Sequence, residues 1–64
     1  MEQEIIERAK WLYAANAAAY SKYECVKTAL YEMGLSYVRQ LTEDLRPANV
    51  SLGEYIEDLA EKLN

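Results

Sequence analysis

Phenylalanine and histidine are absent from this 64-residue chain, cysteine and proline occur once each, and glycine occurs twice. Each absence excludes a class of chemistry. Without histidine there is no imidazole base, no Ser-His or Cys-His pair and no imidazole metal ligand. A lone Cys25 forbids a disulfide within the chain and leaves a zinc site short of ligands. The two glycines, Gly34 and Gly53, stand too far apart for a phosphate-cradling loop. Long apolar runs are missing too. The least polar stretch, Trp11 to Tyr20, has about half the length needed to span a bilayer, and Asn16 interrupts it. The opening Met1-Glu2-Gln3-Glu4 is acidic, unlike the positive start of a secretory leader. Positive charge is scarce: 7 Lys and Arg face 11 Asp and Glu, for a net charge of −4. That sign disfavours non-specific binding to phosphate backbones and to anionic membranes. The expectation is a soluble cytoplasmic protein, not an enzyme, with no cofactor and no metal.

What is present is an aromatic set of six tyrosines and one tryptophan. Each of these side chains joins an apolar body to a polar atom that needs a partner or water. A single domain of this size, residues 1–64, buries only about 60% of the surface its unfolded chain exposes. Seven such rings cannot all hide there, so some belong at the surface. There Tyr and Trp are typical anchors of protein contacts.

Apolar residues recur at three- and four-residue spacing, which predicts an all-α bundle of three or four short helices. The first helix is expected from about Glu2 to Ala19. Its core stripe is Ile5, Ala9, Leu12, Asn16 and Ala19, flanked by Ile6, Tyr13 and Tyr20. Ser21-Lys22-Tyr23-Glu24 reads as a capping box, with Tyr20 and Cys25 at staple positions, so a second helix starts at Lys22. Its stripe is Tyr23, Val26, Ala29, Leu30 and Met33. Gly34 is expected to end it in the left-handed conformation, with Leu30 against Leu35. Ser36 would then cap a third helix carrying Leu35, Val38, Leu41 and Leu45. A rival stripe runs through Gly34, because a helical glycine costs only about 1 kcal/mol. Pro47 disfavours a helical Arg46 and makes 46–50 a loop. Ser51-Leu52-Gly53-Glu54 is a second capping box, with Val50 and Tyr55 as its staple pair. It opens a last helix to about Leu63, with a stripe of Leu52, Tyr55, Ile56, Leu59, Ala60 and Leu63.

Functional candidates lie off these stripes. Trp11, Ala14, Ala15 and Ala18 make a second apolar face on the first helix. Tyr31 lies off its own stripe and Tyr37 at the margin of the next. A fourth helix could cover these residues as ordinary core. Left open, such a face means contact with a partner or a second copy, and a homodimer with Trp11 near its centre is expected. Glu54, Glu57, Asp58 and Glu61 form an acidic face on the last helix. Its ordinary role is solvation; it could also meet a basic partner or, at Glu57 and Glu61, a hard cation. Cys25 could be a nucleophile with Lys22 and Lys27 nearby, but free cysteine usually behaves as a small buried hydrophobe.

Leu30-Tyr31-Glu32-Met33-Gly34-Leu35-Ser36 resembles the helix–glycine–turn of a helix-turn-helix, which implies a small DNA-binding regulator. The sequence departs from that pattern in three ways. Val38 comes two residues early, Leu30 replaces the usual small residue, and only Arg39 and Arg46 are basic before Lys62. The expected function is therefore a non-catalytic protein–protein interaction module, an adaptor or inhibitor acting by surface contact.

Overall fold

The computed structural model describes residues 2–16 and 19–63. These described residues form four α-helices: α1 Glu2–Ala15, α2 Lys22–Glu32, α3 Leu35–Leu45 and α4 Leu52–Glu61, with a 3₁₀ turn at Arg46–Ala48. No strand occurs among the described residues, so the all-α bundle is the observed class. No helix is long and apolar enough to cross a membrane among the described residues.

α2 is the central helix, packed mainly on α1 and α4. α1 runs antiparallel to it, joined by a bidentate ion pair. Arg8 Nε donates to Glu32 Oε1 at 2.8 Å, and Arg8 Nη2 to Glu32 Oε2 at 3.1 Å. α4 runs alongside α2 in the same sense. Gly53 lies beside the Tyr23 hydroxyl at one end, and Lys62 Nζ reaches Glu2 Oε1 of α1 at 2.7 Å at the other.

The core is aliphatic. Ile5, Ile6, Ala9, Cys25, Val26, Ala29, Leu30, Val38, Ile56 and Leu59 are buried, and among the described residues no polar or charged residue joins them. None of the seven aromatic side chains is buried. Tyr13, Tyr23, Tyr37 and Tyr55 lay their ring bodies against the core. This is the arrangement the phenol group favours: apolar body inward, hydroxyl outward.

Both serine caps form. Ser21 Oγ accepts from the Glu24 N–H and Ser51 Oγ from the Glu54 N–H, each at 3.1 Å. They set the starts of α2 and α4 where the sequence puts them. Gly34 breaks the chain between α2 and α3, and the continuous-helix alternative fails.

The break differs in detail from expectation. Gly34 sits at φ 109°, ψ 156°, an extended positive-φ region open essentially only to glycine, not the left-handed helical one. It is itself the N-cap of α3, with its carbonyl accepting from the Val38 N–H at 3.1 Å, so Ser36 is not the cap. Leu35 then points out rather than onto Leu30, and of the expected α3 stripe only Val38 is fully buried.

The first helix also stops early, at Ala15 rather than Ala19. Asn16, half-buried at the end of the stripe, follows the last helical residue and bonds the preceding turn twice. Both its Nδ2 and its N–H donate to the Leu12 carbonyl, at 2.7 and 3.1 Å. This local bonding is why Asn is poor helix interior. Ala19 is exposed rather than core. Ala18 lies outside the described residues.

Arg46 stays helical despite preceding proline, at φ −57°, ψ −46°. The reversal falls on Asn49 instead, at φ 61°, ψ 32°. The Asn49 N–H donates to the Arg46 carbonyl at 3.0 Å and the Val50 N–H to the Leu45 carbonyl at 3.3 Å. That bond pair is the Schellman motif, with Asn in the place glycine usually takes.

Candidate functional surface

Five large hydrophobic side chains are exposed among the described residues: Trp11 59%, Tyr20 56%, Tyr31 43%, Met33 38% and Leu35 74%. Met33, which its spacing places in the α2 core stripe, is thus turned out at the C-cap of that helix. Trp11 is outside because its helix position lies opposite Ile5, Ile6 and Ala9, and no fourth helix wraps over it. Ala14 and Ala15 are exposed beside it. Tyr20 precedes the Ser21 cap, and Tyr31 occupies the outer face of α2. Leu35 is turned out by the backbone of Gly34.

A set of shallow troughs joins these residues along α2. The first, about 270 Å³, lies between Tyr20, Leu12, Asn16 and Thr28. The second, about 390 Å³, runs over Glu24, Lys27, Thr28 and Tyr31. The third, about 330 Å³, lies between Tyr31, Leu35, Val38 and Arg39. Thr28 is shared by the first two and Tyr31 by the last two, so the surface is continuous. Open hollows near the lower volume limit of small-molecule sites suit side chains of another protein.

Arg8 ties Trp11 to this surface. Its guanidinium stands 4.6 Å from the centre of the Trp11 ring while it pairs with Glu32, which edges the second trough. The ring thus has one face on a fixed cation. The Glu32 carboxyl is held below its ordinary range by hydrogen bonding and charge from Arg8.

The other candidates lie apart. Tyr37 is half-buried against the core. Burial, with the charges of Glu2, Asp44 and Glu4, pushes its phenol pKa up. Burial, Glu2 and Tyr37 do the same to Tyr55. Tyr37 therefore belongs with Tyr55 and the α1 start, not with Trp11 and Tyr31. Glu54, Glu57, Asp58 and Glu61 are all exposed on α4. Among the described residues no three His, Cys, Asp or Glu side chains cluster to hold a metal ion.

Cys25 is free and buried, and burial, then the Glu24 charge, pushes its thiol up. A raised thiol has less of the thiolate that nucleophilic chemistry needs. The Gly34 break does give α2 and α3 the outline of two helices around a turn. On α3, Arg39 and Arg46 share their trough with Glu43, so that surface is mixed in charge.

Spacing places Tyr20 at a staple position and Leu35 in a core stripe, and neither signals the exposure the structure shows. Helical phase alone separates Trp11 and Tyr31 from their stripes.

No protein family, curated protein or solved structure matches this chain.

Proposed function

We propose that this chain is a non-catalytic protein–protein interaction module, a small adaptor or inhibitor of the cytoplasm that works by covering a partner's surface. One observation carries the reading: the fold completes its core without Trp11, Tyr20, Tyr31 or Leu35. Exposed Trp and Tyr beside shallow troughs are the usual anchors of protein contacts. Trp11, with Ala14 and Ala15 at its foot, and Tyr31 are the principal anchors. The acidic α4 face serves solvation and early electrostatic encounter. A single buried thiol suits a reducing compartment.

Affinity capture from the native host tests this reading, using wild type and a Trp11→Ala/Tyr31→Ala variant. A protein retained by the wild type and lost by the folded variant is the expected result. Identical capture by both would contradict it. The helix-turn-helix reading is favoured only by the Gly34 break. Salt-dependent retardation of a DNA duplex at micromolar protein would support it, and no shift at low salt would remove it.

A further inference from the structure

We infer that a groove along the outer side of α3 receives an acidic, amphipathic helical segment of a partner protein. The inference rests on the interaction reading above and states the chemistry of the partner. Two troughs make up the groove. One, about 330 Å³, lies between Tyr31 of α2 and Leu35, Val38 and Arg39 of α3. The other, about 280 Å³, lies between the end of α3 and the Val50-Ser51-Leu52 approach to α4. Thr42 and Arg46 line both, so the two are continuous. From Leu35 to Arg46 the groove follows three turns of helix, about 16 Å. Its ends are apolar: Leu35 and Tyr31 at one, Val50 and Leu52 at the other.

Charge sets this groove apart from the rest of the surface. Glu24 alone charges the Tyr20 trough, and Glu24 with Glu32 outnumbers Lys27 in the trough beyond it. On α3 the sign reverses. Arg39 and Arg46 outnumber Glu43 in one trough, and Arg46 is the charged residue of the other. The chain as a whole carries −4, so this is where a partner's carboxylates are drawn. Arg39 and Arg46 are exposed, and neither forms an ion pair among the described residues. The nearby acids are engaged elsewhere. Glu32 is held by Arg8, and Asp44 accepts from Gln40 Nε2 at 3.1 Å, away from the groove.

The form of the partner follows from the same surface. No strand occurs among the described residues, so no sheet edge offers to add a partner's strand. An apolar groove on a helix suits the apolar face of another helix. Arg39 and Arg46 stand two turns apart, about 10 Å, and a helix can place two carboxylates at that spacing beside its apolar stripe. A phosphate backbone fits less well. It brings unbroken negative charge past Glu43 and nothing apolar for Leu35.

The test is an NMR titration of the full chain with a designed helical peptide of about 14 residues. The peptide carries a leucine stripe flanked by two glutamates two turns apart; its control has lysine for each glutamate. Peptide from about 10 μM to 1 mM covers the affinity of an interface this small. The acidic peptide should shift the backbone amides of 35–46 and 50–52 and bind about tenfold tighter than the control. Arg39→Glu/Arg46→Glu, folded by circular dichroism, should reverse that preference. Leu35→Ser should weaken both peptides about tenfold. No shift along α3, or equal binding of the two peptides, overturns the inference. So does a DNA duplex that shifts these amides when the acidic peptide does not. Self-association of the wild type that Arg39→Glu/Arg46→Glu abolishes would assign the groove to a second copy and overturn it too. Capture of a partner through Trp11 and Tyr31, with no response to either peptide, would leave the interaction reading standing without this groove.

Discussion

The outer sides of α2 and α4 face the same solvent and are built from opposite materials. α4 follows the ordinary rule for a surface helix: Ile56 and Leu59 inward, and Glu54, Glu57, Asp58 and Glu61 outward. α2, the most enclosed helix of the four, leaves Tyr31 outside, with Tyr20 and Leu35 at its ends. The difference separates a face made of solvating groups from one made of rings. A tyrosine on a solvent face adds little to a core it does not touch. Carboxylates there keep a chain dispersed, whereas exposed rings invite contact. Solvation suffices to account for the acidic side, whereas it gives no reason for rings on the aromatic side.

The strongest way to break this contrast is to remove what lies beneath the aromatic side. Leu30 is fully buried in α2, next to the exposed Tyr31. Leu30→Ala should cost about 2–5 kcal/mol, enough to unfold much of so small a domain at room temperature. Urea denaturation followed by circular dichroism measures it. A loss under about 1 kcal/mol would mean that α2 is not the centre of the core.

Next in size is Gly34→Ala. Nothing lies within 4 Å of a β-carbon there, so the cost is backbone strain alone, about 1–3 kcal/mol. An unchanged urea midpoint would show that the α2–α3 turn, which aims Leu35 outward, can form another way. On the acidic side, Ser51→Ala should cost about 1 kcal/mol through loss of the α4 cap. No change would place the start of that helix elsewhere.

The smallest effect is in acid. Arg8 lowers the Glu32 pKa in the folded state. The pair's contribution is therefore present above the unfolded-state value and lost as pH falls through the lower, folded one. An NMR titration of the Glu32 carboxyl should show its midpoint rising in Arg8→Gln. Equal midpoints would mean that the ion pair does not persist in solution.

Much of this architecture is legible in the sequence, because its signals are local. Ser21 and Ser51 mark helix starts by accepting from a backbone N–H three residues on. Gly34 marks a break because its neighbours cannot take its dihedral angles. Asn16 and Asn49 were harder to read. One ends a helix by bonding its own preceding turn, and the other supplies a left-handed residue that Pro47 seemed to make unnecessary. The candidate surface was half legible. Phase on one helix separates Trp11 and Tyr31 from their stripes. Whether another helix covers them depends on how α3 and α4 pack, which no local pattern encodes. Leu35 follows an apolar period faithfully and still points out, because Gly34 decides its direction.

The central claim is that the aromatic side belongs to contact and not to folding. Urea denaturation of Trp11→Ala/Tyr31→Ala, at a protein concentration low enough to keep it monomeric, tests this most directly. The account predicts a stability within about 1 kcal/mol of wild type, the range of surface changes that lose only a cation–π stack and exposed packing. A loss as large as that of Leu30→Ala would contradict it and return both rings to the core.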